Sequence, residues 1–133
     1  MSEKRSQVRS RTGRPITIER IAAEDGRYMP QAYYFVHEAL EYKLRQLGQV
    51  RHLAGEELLD GIRQLALERF GLMARVVLEQ WGVSCTGDFG EIVFLMIEHD
   101  RLFKTDEDSK EEFRGVYAFR QAFDESYEVP GRL

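Results

Sequence analysis

From Ile16 onward, apolar residues in this chain recur every three or four positions, the spacing of helices that bury one face. Thr17 is placed to cap a short helix carrying Ile18, Ile21 and Ala22 and ending near Asp25-Gly26. Pro30 suits the first turn of a second helix, where its missing N–H has no helical partner to lose. Gly48 stops that helix after Leu47. Along it Tyr33, Val36, Leu40, Leu44 and Leu47 form one stripe, which Ala32, Phe35, Ala39 and Tyr42 widen to more than half the circumference. Tyr34, Glu38, Glu41 and Arg45 fall on the opposite side, with Glu41 and Arg45 at a favourable i,i+4 spacing. The pattern predicts a third helix over 55–70, with Leu58, Leu59, Ile62, Leu65 and Ala66 inward and Gly71 as its break. A fourth is expected over 72–81, closed by Gly82. It is apolar nearly all round apart from Arg75 and Glu79, so deep packing is expected for it.

Asp88 and Glu91 have the spacing of a capping box opening a fifth helix to about Arg101. Ile92 to Ile97 are consecutive apolar residues, a run that a buried strand could also show; the capping signal and the segment length favour a helix. Ser109 and Glu112 repeat the box before a terminal region with Phe113, Val116, Tyr117, Phe119, Ala122 and Phe123, which Gly115 divides. No Asn-Gly hairpin and no sustained period-two alternation occur. The expected fold is all-α: a compact single-domain bundle of about five to six helices around a central apolar helix, 88–101. A helical domain, 15–133, follows a basic arm, 1–14, in which Ser2, Ser6, Ser10, Thr12 and Gly13 leave only Val8 as an aliphatic side chain after Met1. Such a segment buries too little surface to offset its ordering entropy, so the arm is expected to be disordered.

Several short segments follow one another in an order that resembles a known family. They are Arg27-Tyr28, Ala32-Tyr33 with Phe35-Val36, Phe70-Gly71 with Met73-Ala74, and Trp81-Gly82-Val83. Asp88-Phe89-Gly90 with Ile92-Val93-Phe94, and Phe113 with Val116-Tyr117 and Phe119, complete the set. Over about residues 16–127 the chain resembles an uncharacterised small bacterial protein family of the planctomycete and verrucomicrobial type. The resemblance implies a compact one-domain cytosolic protein. It carries over no catalytic or binding residues, because the matching positions are glycine, aromatic and aliphatic. One departure is Ala54, where a capping Ser or Thr is expected before Gly55.

Charge adds an asymmetry that the apolar pattern does not show. The chain of 133 residues has a formal net charge of −4. Lys4, Arg5, Arg9, Arg11 and Arg14 against Glu3 give residues 1–14 a net +4, which leaves −8 on the other 119. These five cations are the candidate partner-binding residues, able to meet an acidic protein surface or a nucleic acid. The arm has no aromatic residue, so binding to nucleic acid would be electrostatic and salt-sensitive. The single cysteine, Cys85, excludes an internal disulfide and a multi-cysteine zinc site. No apolar run approaches a membrane span, and charges occupy the place of a signal peptide's apolar stretch; a cytoplasmic location is expected.

Candidate chemistry is sparse. His37, His52 and His99 lie in different segments without a two-histidine i,i+4 pair, and no Glu-x-x-His pair occurs, so neither a metal nor any other cofactor is expected. His99 projects onto an apolar arc as a core histidine with satisfied polar atoms. Cys85 precedes a helix start that Asp88 makes negative, and no motif gives it a base. Glu91 and Glu98 project from one side of the fifth helix about 10 Å apart, too far to share a proton directly. Lys43 and Arg69 point to the apolar sides of their helices, near the C-termini that favour cations; one of them could pair with Glu91 or Glu98. Leu72–Trp81 and Asp88–Arg101 have helix-turn-helix lengths, but Glu91, Glu98 and Asp100 on the second would repel phosphate.

These features lead to the expectation of a non-catalytic helical protein-interaction module or small complex subunit. Its arm, or an apolar groove rich in Tyr28, Tyr33 and Tyr34, would contact a protein partner or a second copy. One alternative is an accessory protein of a ribonucleoprotein or other nucleic-acid complex held by the arm. An enzyme with an unrecognised site is the other, for which Glu91, Glu98, Lys43 or His99 would have to converge on a pocket.

Overall fold

The computed structural model describes residues 16–99, 101–102 and 109–125. The basic arm, with its five candidate partner-binding cations, lies outside the described residues. The described chain is all helical: α1 (Ile18–Asp25), α2 (Pro30–Leu47), α3 (Gly55–Phe70), α4 (Ala74–Gln80) and α5 (Thr86–Glu98). Three shorter turns join them, 3-10 at Gly71–Met73 and Lys110–Phe113, and a π turn at Arg120–Glu125.

The ends follow local chemistry. Thr17 Oγ1 accepts from the Arg20 N–H at 3.1 Å and opens α1. Pro30 opens α2, and the N–H of the preceding Met29 donates to the Trp81 carbonyl at 2.9 Å, tying that helix start to the end of α4. Helix α3 begins at Gly55 although Ala54 offers no capping oxygen. Glu57 Oε1 accepts the Ala54 N–H and Glu112 Oε1 accepts the Gly55 N–H, both at 2.9 Å, so two glutamates replace the missing hydroxyl.

Helix α5 starts earlier than the expected Asp88 box. Cys85 is the N-cap and Asp88 is the third helical residue, its Oδ2 reaching back to the Ser84 N–H at 2.9 Å. The acid closes the turn behind it rather than opening one ahead, and Glu91 is left for other partners. The helix ends at Glu98, short of the expected Arg101, whose N–H reaches back to the Met96 carbonyl. Its apolar run is helical as expected, with Phe89, Ile92 and Met96 buried against α2, α3 and the 110–113 turn. Ser109 caps that turn, with Glu112 closing the box, and Gly115 follows at φ +61°.

Helix α2 touches α1, α3 and α5, so its wide apolar face is shared among three neighbours. The close contact of α2 with α3 depends on Gly61, where an added Cβ would stand 3.0 Å from Lys43 Cβ and 3.1 Å from the Ala39 carbonyl oxygen. Buried side chains from every helix join one contiguous core. Helix α4 departs from its expected deep packing. Only Ala74 and Leu78 are buried on it, while Leu72, Met73 and Val76 are 60%, 55% and 45% exposed. The 71–73 turn shortens the segment to seven helical residues, which pack mainly on α3 and the 120–125 turn.

Candidate binding cavity

The α2–α3 connection leaves the body at Val50, which is almost fully exposed, and returns at Leu53, which is buried. Under this excursion lies an open cavity of about 470 Å³. Leu40 and Leu44 of α2, Leu58 of α3, Val93 and Ile97 of α5 and Phe113 form its apolar walls. Leu40, Leu44 and Ile97 are only half buried, as walls facing an opening must be. A few hundred Å³ with apolar walls and polar groups at the edge is the usual form of a binding pocket.

The polar groups at the edge are His37, Arg51, His52, Arg101 and Glu112. Arg51 grips Glu57 with two nitrogens, at 3.0 and 2.7 Å, and donates to Gln49 Oε1 and the His52 carbonyl. That fork, with the Ala54 N–H, holds the Glu57 carboxyl down to about 2. Glu112 accepts from the Gly55 and Ser109 N–H groups. Arg101 donates to the Ile16 carbonyl. His37 Nδ1 stands 3.8 Å from Glu41.

The charges singled out from the sequence go elsewhere. Lys43 is buried, as its position implied, but it pairs with Asp60 and not with Glu91 or Glu98. Its Nζ donates to Asp60 Oδ2 at 2.8 Å and to Gln46 Oε1 at 3.0 Å. Asp60, one turn into α3, is nearer than any acid of α5, and Gln64 and Arg63 also donate to it. Arg69 pairs with Glu38 at 2.7 Å across the surface and lies over the Phe35 ring, so its stem covers apolar area while its head stays wet.

Glu91 and Glu98 do share a shallow groove, with Arg27 and Lys110 opposite them. Glu91 is 3.0 Å from Lys110 and 3.6 Å from Arg27. Neither Lys43 nor His99 lines that groove. The convergence that an enzyme site would need is therefore absent from these residues. His99 caps the C-terminus of α5, and its Nδ1 is buried without a hydrogen-bond partner among the described residues, against the expected satisfied core histidine. His99 stands just past the last helical residue and is half buried.

The expected tyrosine groove does not form. Tyr28 and Tyr33 are core residues, and Tyr34 is exposed, donating to Glu19 at 2.7 Å. Consecutive helix positions point about 100° apart, which separates Tyr33 from Tyr34. Tyr28 donates to Asp88 Oδ1 at 2.7 Å. Cys85 is exposed, beside that carboxylate. Among the described residues no group of three or more His, Cys, Asp and Glu could hold a metal ion, and no helix is long and apolar enough to cross a membrane.

Sequence reasoning missed the cavity. Its one readable signal was Val50, an aliphatic residue set among Gly48, Gln49, Arg51 and His52 in a connection that ends in Leu53 and Ala54. Comparison of the chain with family models, curated proteins and solved structures returns no match.

Proposed function

We propose that this chain is a non-catalytic helical interaction module of the cytoplasm, whose cavity between α2 and α5 receives apolar side chains of a protein partner. The observation carrying this reading is the cavity, where half-buried Leu40, Leu44 and Ile97 stand beside buried Leu58, Val93 and Phe113 and the polar groups lie at the edge. Leu44→Trp places a larger side chain at the opening that Leu44 lines. It is expected to lower retention of the partner in affinity purification about tenfold, as loss of a central apolar contact does. Leu72→Ser, on the α4 face, is expected to leave retention unchanged. Equal retention by both variants would remove the cavity from the reading.

The net +4 of residues 1–14 favours a second reading, an accessory role in a nucleic-acid complex. Deleting residues 2–14 would then abolish nucleic-acid retention at low salt, and unchanged retention would dismiss it.

A further inference from the structure

The rim of the cavity is charged but has no net sign. Arg51 is paired with Glu57, and the cation of Arg101 is matched by the anion of Glu112. The bonds of these groups also stay within the chain. Arg101 donates to the Ile16 carbonyl, and the two Glu112 oxygens accept from the Gly55 and Ser109 N–H groups. His37 has Glu41 beside it. A charged head group placed at this rim would lose hydration and meet no unbalanced counter-charge.

The walls offer apolar contact instead. Buried Leu58, Val93 and Phe113 stand beside half-buried Leu40, Leu44 and Ile97. Val50 also lines the cavity, yet it is almost fully exposed, an aliphatic side chain left in water at the mouth. A molecule seated there removes apolar surface from water on both sides of the contact. An apolar cavity of about 150 Å³ holds benzene. At about 470 Å³, this one has room for a molecule on the order of twenty non-hydrogen atoms.

We infer that the cavity is a site for one small, uncharged, hydrocarbon-like molecule of that size. Such a ligand needs the cavity but no protein partner, so it goes beyond the function proposed above. A ligand filling the cavity would leave no room for a partner's side chains, and the two occupants would exclude each other.

The test titrates the full-length chain with phenylnaphthylamine, a neutral dye of this size that brightens in apolar surroundings. Anilinonaphthalene sulfonate, the same skeleton bearing a sulfonate, is the charged counterpart. The neutral dye is expected to saturate at one site per chain and to bind about tenfold more tightly than the sulfonate. Decanol should displace it severalfold better than decanoate or decylammonium at neutral pH. Leu44→Trp should weaken dye binding about tenfold, and Val50→Asp severalfold, with far-UV circular dichroism unchanged. Val50 is exposed, so its variant carries the test if Leu44→Trp does not fold. Leu72→Ser, on the α4 face, should bind as the parent chain does. The inference is overturned if the neutral dye shows no saturable site, or if the sulfonate or either charged competitor equals its neutral counterpart. It is also overturned if binding is unchanged in the folded cavity variants or falls in Leu72→Ser. Failure of the dye to bind leaves the protein-partner reading to its own measure, retention in affinity purification.

Discussion

Tyr28, distant in the chain, and Ser84, four residues back, both donate to the Asp88 carboxylate. Burial alone would raise the Asp88 carboxyl. Hydrogen bonds from the Ser84 N–H, the Tyr28 hydroxyl and Cys85 outweigh it and hold the group below its ordinary value. A lowered folded value means that ionised Asp88 stabilises the fold above the ordinary carboxylate range, and that this stability is lost as pH falls through the folded value. Asp88→Asn should therefore flatten the acid limb of stability against pH, measured by urea denaturation across the carboxylate range. At neutral pH Asp88→Ala is expected to cost about 1–2 kcal/mol and Tyr28→Phe about 1 kcal/mol, because the phenylalanine leaves Asp88 its Ser84 contacts. The residue was legible as a capping acid, but not its register. By residue type Asp88 is a better N-cap than Cys85, but its Oδ2 accepts from the Ser84 N–H behind it, and Thr86, buried with its hydroxyl accepting the Val116 N–H, is already helical.

Lys43 and Asp60 join α2 to α3 through a pair that is buried on the lysine side and open on the aspartate side. A double-mutant cycle with Lys43→Met and Asp60→Asn is expected to give a coupling of about 1 kcal/mol, between that of exposed and fully buried pairs. Lys43 was legible as a misplaced cation from its position on the wheel. Its partner was not, because helix periodicity carries no information about which acid of a neighbouring helix stands opposite. The glycines at helix contacts behave alike. A Cβ on Gly90 would lie 2.8 Å from Phe113 Cβ, so α5 and the 110–113 turn must separate to admit it. Gly90→Ala and Gly61→Ala should each destabilise by about 1–3 kcal/mol in chemical denaturation. Both substitutions would gain about 1 kcal/mol from helix propensity alone, so destabilisation shows that contact decides.

Helix α4 shows where the apolar pattern misleads. Its composition is that of a buried helix, yet burial depends on neighbours as well as on sequence, and it packs mainly on α3 and the 120–125 turn. Leu78→Ala, at a fully buried position, is expected to cost about 2–5 kcal/mol, whereas Leu72→Ser and Val76→Thr on the open face should stay within about 0.5 kcal/mol. Both figures are read as shifts in urea midpoint at constant slope. The same logic explains why the cavity was not legible. Leu40 and Leu44 belong to the predicted core stripe of α2, and nothing in their spacing distinguishes a wall facing an opening from one facing a packed neighbour.

At the scale of the molecule, two ends meet through α2. At one end Phe35 of α2 sits with Phe70 and Trp81, ring centroids 5.6–5.7 Å apart, at the junction with α3 and α4. At the other, α5 and the 110–113 turn close over the cavity side. Trp81 is the single tryptophan of the chain, so its fluorescence reports the first end alone, while far-UV circular dichroism reports all the helices. If the contiguous core makes one cooperative unit, the two signals give coincident urea transitions. Gly90→Ala tests this more sharply, since its strain falls on the contact with Phe113 and not on the Trp81 cluster. One cooperative unit requires it to move the Trp81 transition as far as the circular dichroism transition. A Trp81 midpoint that stays in place while circular dichroism shifts would divide the bundle into two units, with α2 their shared wall and the cavity on the weaker one.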